Sequence, residues 1–70
     1  MEDYAAIVGK NIHDLRIRFR MTQAALAYDI GCTEQSIRYW EKGRGIPVGY
    51  YPPLIADRFH VSIDYLFGRD

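Results

Sequence analysis

Apolar residues at the start of the chain recur at helical spacing. Val8, Ile12, Leu15 and Phe19 follow one another at intervals of four, three and four, which sets them on one face of a helix over residues 4–19 and makes that face part of a core. Lys10, Asp14 and Arg18 fall outward as a solvated face. The pattern restarts at Thr22, whose hydroxyl can take an orphan backbone N–H of a first turn, and runs through Gln23, Leu26, Ala27 and Ile30 to Gly31. Glycine suits that stop because a helix often ends in a left-handed residue, which costs glycine nothing. Thr33 then caps a third helix over 34–42, with Ile37 and Trp40 at helical spacing and Gly43 as the next stop.

After Gly43 the stretch GRGIPVGYY loses this periodicity and gathers three glycines with Pro47, which predicts a loop through Tyr51. Pro52-Pro53 sets the start of a short fourth helix over 53–59, because a residue ahead of proline avoids helical angles while proline itself is accommodated at the first helical position. Leu54, Ile55 and Phe59 are its expected core residues. Ser62 opens a last helix over 62–67 that Gly68 closes, with Leu66 inward and Tyr65 and Phe67 available to core or partner. The three later helix starts share a device: Met21-Thr22 with Leu26, Cys32-Thr33 with Ile37, and Val61-Ser62 with Leu66 each place an apolar residue before a Ser/Thr cap and another at the fourth helical position. This is the hydrophobic staple; the reciprocal Glu or Gln of a full capping box is absent, with Ala25, Ser36 and Tyr65 in its place. The expectation is an all-α fold of five helices, with no internal repeat.

Helices two and three are separated only by Gly31, Cys32 and Thr33, so they must cross steeply, at about 90 to 120 degrees. Such a crossing needs a small residue, and Ala27, one turn before Gly31, leaves that space. Residues 22–42 therefore read as a helix-turn-helix. Gln23, Ala27, Gly31, Ile37 and Trp40, followed by Glu41-Lys42-Gly43, match the spacing of that motif in phage repressors, Cro proteins and the related XRE regulators. The segment HVSIDYLFG resembles the closing helix of the phage-repressor DNA-binding domain, so the resemblance runs from Val8 to Gly68.

This resemblance implies a compact, lambda-repressor-like DNA-binding domain over residues 1–70 and a role as a transcriptional regulator, in particular a repressor of a prokaryote, phage or mobile element. It implies that Arg16 pairs with Glu41, tying the first helix to the third. It further implies that Gln23, with Lys42 and Arg44 after the third helix, grips the phosphate backbone. Ala24 and Ala25 depart from the acidic residue that many relatives carry after the glutamine, which weakens the cap and leaves a surface less repulsive to phosphate. Ile46 and Pro47 stand where phage repressors often continue with basic residues, and Gly49 with the two prolines lengthens the loop and shortens the fourth helix.

Composition narrows the classes of function. Seventy residues accommodate one small domain with a core just large enough to hold a fold without staples, and no separate catalytic domain. Cys32 is the only cysteine, so the expectation is no internal disulfide and a reducing, cytoplasmic setting. One cysteine with His13 and His60 shows no metal-ligand spacing. With no nucleophile and base, no carboxylate pair and no phosphate loop, the chain is expected to be neither an enzyme nor a cofactor binder. No apolar run approaches the about 20 residues of a membrane span, and Met1-Glu2-Asp3 is unlike the start of a signal peptide.

Charge matters through its distribution. Nine basic and nine acidic residues cancel, which argues against a protein that simply coats nucleic acid. Between Lys10 and Arg44, however, seven basic residues (Lys10, Arg16, Arg18, Arg20, Arg38, Lys42, Arg44) face four acidic ones (Asp14, Asp29, Glu34, Glu41). The ends reverse this, with Arg58 and Arg69 against Glu2, Asp3, Asp57, Asp64 and Asp70. A dipolar domain, positive around the helix-turn-helix, is what local phosphate contact requires.

In a helix-turn-helix the second helix enters the major groove and presents its first residues to base edges. Here those are Thr33, Glu34, Gln35 and Ser36 and, one turn on, Arg38 and Tyr39. Gln35 can pair with N6 and N7 of adenine, Arg38 with guanine or a phosphate, and Glu34 with the N4 amino group of cytosine. Each has an ordinary structural reading beside it: Glu34 suits the helix dipole, Gln35 and Ser36 suit a solvated surface, and Tyr39 either lies on the sugar-phosphate chain or packs on the domain. One such domain touches few base pairs, so the expected partner is double-stranded operator DNA, an inverted repeat bound by a homodimer. Tyr50, Tyr51, Tyr65 and Phe67 are candidate dimer residues. Glu34 and the zero net charge leave a second class open, a helix-turn-helix protein-interaction module of antitoxin or anti-regulator type.

Overall fold

Five helices carry the chain in the computed structural model, which describes residues 3–69. They are α1 (Tyr4–Arg18), α2 (Gln23–Ile30), α3 (Glu34–Glu41), α4 (Tyr51–Arg58) and α5 (Ile63–Leu66). Glu2 and Asp70, which enter the terminal charge balance, and Met1 lie outside the described residues. Among the described residues there is no strand, and no helix is long and apolar enough to cross a membrane.

Side-chain caps open four of the helices. Thr22 accepts the Ala25 N–H at 3.0 Å, Thr33 that of Ser36 at 3.1 Å, and Ser62 that of Tyr65 at 2.9 Å. Asp3 does the same for Ala6 at 3.1 Å, a cap the apolar pattern of α1 does not announce. Behind the three Ser/Thr caps, Met21, Cys32 and Val61 lie against the core, while Leu26, Ile37 and Leu66 are fully buried in it. The staples therefore fix the angle at which the chain enters α2, α3 and α5.

The helices meet as a closed ring: α1 packs on α3 and α5, α2 on α3 and α4, and α4 on α5. Val8, Ile12 and Leu15 of α1 meet Leu26, Ile37, Ile55, Phe59 and Leu66 in one core. Gly9 makes the α1–α3 approach possible, since a Cβ at this position would run into the carbonyl oxygen of Trp40 and crowd that of Glu41. Asn11 closes the ring by donating to the carbonyls of Tyr65 at 3.2 Å and Leu66 at 3.0 Å, two of the orphan acceptors at the end of α5. Arg58 and Asp29, 2.8 Å apart, join α4 to α2.

Several expected details change. Phe19 is not on the buried stripe: it is the C-cap of α1 and sits at the rim, its ring edge-on to Phe59 with centroids 5.0 Å apart. The third helix ends at Glu41, with Lys42 as its cap. The fourth begins at Tyr51, two positions ahead of the expected start, and holds both prolines in its first turn. Nothing is lost there, because the first N–H of α4 bonded along the helix is that of Leu54, to the Tyr50 carbonyl at 3.1 Å; the prolines fill positions whose N–H has no intrahelical partner. That earlier start puts Tyr51, Ile55 and Phe59 four apart on the inward face, with Tyr51 against Trp40 at 5.4 Å between ring centroids. Leu54 is turned to solvent, 42% exposed, and Ala56 is buried instead. Of the late aromatics, Tyr51, Tyr65 and Phe67 finish the core, whereas Tyr50 is exposed.

Candidate nucleic-acid interface

The geometry of the motif follows from two small residues. Ala27 is buried where α2 and α3 cross, and Gly31 ends α2 in the left-handed region at φ 78°, a conformation that L side chains disfavour. The turn delivers α3 with Ile37 and Trp40 inward. Glu34, Gln35, Arg38 and Tyr39 consequently face solvent on the opposite side.

The outward side chains are ordered by one another. Thr33 and Ser36 bring their hydroxyl oxygens to 3.0 Å, so the capping hydroxyl is shared within the first turn. Glu34 and Arg38, one turn apart, form an ion pair at 3.0 Å with both side chains about half exposed. The ring of Tyr39 lies against Gly45, where any Cβ would collide with it, and the Arg44 N–H bonds the Tyr39 carbonyl at 3.2 Å. Gln35 stands between two shallow hollows. One, of about 250 Å³, is walled by Thr33, Ser36, Tyr39 and Trp40; the other, of about 190 Å³, by Arg38, Tyr39, Lys42 and Arg44. The six residues expected to meet bases thus share one surface, with Lys42 and Arg44 beside it.

Gln23 belongs to a different constellation. Arg16 Nε donates to Glu41 Oε2 at 2.7 Å and Arg16 Nη2 to Oε1 at 3.0 Å, a two-pronged pair, while Arg16 Nη1 reaches the Met21 carbonyl at 2.8 Å. Gln23 Nε2 donates to Glu41 Oε1 at 3.2 Å, and His13 Nδ1 lies 3.1 Å from the same oxygen. Arg16 and Glu41 are nearly covered, at 10% and 7% side-chain exposure. Burial works to raise the Glu41 carboxyl, but the hydrogen bonds from Arg16, His13 and Gln23 outweigh it and hold the group below the ordinary glutamate value. The cluster clamps α1, α2 and α3 together and keeps Gln23 at the start of α2, facing the same carboxylate that anchors α3. The resemblance points to Arg16 and Glu41; the shares of His13 and Gln23 depend on a meeting of three helices, which no local spacing reveals.

A larger open hollow of about 540 Å³ lies between α1 and the end of α3, lined by Asp3, Lys10, His13, Glu41 and Lys42 with Ala6 and Gly43. Its charges alternate in sign, and it is separate from the outward face of α3. Among the described residues no group of three or more His, Cys, Asp or Glu side chains is placed to hold a metal ion. Burial raises the Cys32 thiol above its ordinary value, which keeps it protonated and unreactive.

No model of a known protein family matches the chain. It is 34% identical over 62 residues to the cryptic phage CTXphi transcriptional repressor RstR of Vibrio cholerae serotype O1, a match covering 89% of this chain and 55% of that protein. The chain therefore spans about half the length of that relative. Its fold matches the crystal structure of the P22 c2 repressor in complex with a synthetic operator, with a TM-score of 0.86 and 28% identity, over 91% of this chain and 97% of the other. It also matches the solution structure of the SOS-response transcriptional repressor LexA from Eubacterium rectale, with a TM-score of 0.87 and 27% identity, over 94% of this chain and 70% of that one. In sequence and in fold, the chain is a helix-turn-helix domain of the phage-repressor type.

Proposed function

We propose that the chain is a sequence-specific DNA-binding transcriptional repressor domain that lays α3 in the major groove. The observation that carries this reading is the outward face of α3: Thr33, Glu34, Gln35, Ser36, Arg38 and Tyr39 on one surface, edged by Lys42 and Arg44, on a fold shared with a repressor bound to its operator. Gln35 reads a base edge and Arg38 a guanine or a phosphate, whereas Lys42, Arg44 and Gln23 hold the backbone. Gln23 leaves Glu41 for a phosphate at the start of α2, where backbone N–H groups favour an anion. Two copies act together, because one recognition helix spans too few base pairs for selective binding, and their half-sites lie about 10 base pairs apart.

The test is a selection from a random duplex pool, with the bound fraction sequenced at low and near-physiological salt. Enrichment of an inverted repeat with half-sites about 10 base pairs apart is the expected result. Binding that disappears with salt and enriches no sequence overturns the reading. The protein-interaction module would then be the function to pursue.

A further inference from the structure

We propose that Glu34 is a specificity-determining residue that works by repulsion: paired with Arg38, it withholds that cation from phosphates and admits α3 only to a groove offering a base amino group. The inference rests on the DNA-reading role of α3 and concerns how that face discriminates. Glu34 and Arg38 are joined at 3.0 Å across one helical turn, and both are half open to solvent. Arg38, Lys42 and Arg44 line a single hollow with Gln35 and Tyr39. Glu41, the other carboxylate of α3, is covered and engaged by Arg16. Glu34 is therefore the acidic group of α3 that meets an approaching duplex.

Two consequences follow from the chemistry. An arginine held by a carboxylate is not available to displace a counterion, so random DNA gains less from this face than three cations would provide. As α3 enters the groove, Glu34 faces mostly acceptors, the N7 and O6 of guanine and the O4 of thymine, which repel it. Only the amino groups of cytosine or adenine donate to it, and where one is in reach Glu34 exchanges Arg38 for that base and Arg38 becomes free to bond beside it. The wrong sequence leaves a carboxylate unpaired in a polyanion, and a large part of the selectivity comes from that unfavourable contact.

Glu34→Gln tests this by removing the charge while keeping the length and the hydrogen-bonding atoms. Affinity for the selected site and for a random-sequence duplex is measured across a salt series for the wild-type chain, Glu34→Gln and Glu34→Gln/Arg38→Gln, below the melting temperature of each. Glu34→Gln is expected to bind the random duplex about fivefold tighter and to lose about tenfold in the ratio of selected to random affinity. The slope of log affinity against log salt for the random duplex steepens by about 0.9, the signature of one released phosphate contact, and returns to the wild-type value in the double variant. An unchanged slope, or equal weakening on both duplexes, overturns the inference. A wild-type chain without sequence preference instead defeats the DNA-reading role itself, a failure visible before any variant is compared.

Discussion

Glu41 concentrates more of the structure than any other polar side chain. It takes hydrogen bonds from Arg16 and Gln23 and faces His13, and it lies with Arg16 in a nearly closed site. An exposed ion pair contributes under about 1 kcal/mol, but removing one partner of a covered pair strands the other without solvent, a loss of about 3 to 5 kcal/mol. Arg16→Ala and Glu41→Ala are each expected to fall in that range by urea unfolding, and the double variant to lose clearly less than their sum. Strict additivity would sink the pairing. The same site sets an acid limit. Because folding holds the Glu41 carboxyl below its ordinary value, the native state favours the charged form. The stability this supplies is complete above the unfolded value of about 4.3 and is lost as pH falls through the lower folded value. Glu41→Gln, less stable at neutral pH, should show a flatter decline between pH 5 and pH 2 (roughly the window of such a carboxylate), and a decline as steep as the wild type's would assign the acid sensitivity elsewhere.

The helix ends and crossings show where local chemistry suffices and where it does not. α1 and α4 finish alike. Arg20 and His60 are left-handed at φ 58°. Each is followed by a residue whose N–H reaches back to the helix, Met21 to the Arg16 carbonyl at 2.9 Å and Val61 to that of Ala56 at 3.0 Å. This closing turn prefers glycine, and a side chain there costs about 1 to 2 kcal/mol, partly offset by the greater freedom glycine has when unfolded. His60→Gly and Arg20→Gly should each raise stability by about 0.5 to 1 kcal/mol, read as a higher melting temperature. Gly9→Ala should do the opposite. Alanine is favoured by about 1 kcal/mol in a free helix, but here its methyl group meets the Trp40 carbonyl, and forcing α1 from α3 costs about 1 to 3 kcal/mol beyond that gain. Caps, staples and the Gly31 stop were legible because each lies within a few residues of its partner. The inward turn of Tyr51, the exposure of Leu54 and the rim position of Phe19 were not, because they depend on Trp40 and Phe59, neighbours only in the folded chain. The α3 surface was readable as one face from spacing alone, but the ion pair that occupies half of it, and the seat of Tyr39 on Gly45, needed coordinates.

At the scale of the whole molecule, a chain of zero formal charge has no long-range pull on a duplex, so its electrostatics must come from the few cations it places at the interface. Lys42 and Arg44 line or flank the α3 surface, and Arg38 joins them only when Glu34 lets go. Each phosphate neutralised contributes about 0.9 to the slope of log affinity against log salt, so one bound copy should show a shallow slope of about −2 to −3. This makes a single substitution a means of counting copies. Arg44→Ala removes one phosphate contact per copy without touching a base, so affinity should fall alike on all sequences, whereas Gln35→Ala should change which base is preferred. On a duplex carrying one half-site, Arg44→Ala should flatten the slope by about 0.9; on the full inverted repeat, held by two copies, by about 1.8. Equal flattening on both duplexes would mean that one copy suffices and that the paired arrangement is wrong. A doubled change would establish two copies on the repeat, each bringing its own Arg44 to the backbone.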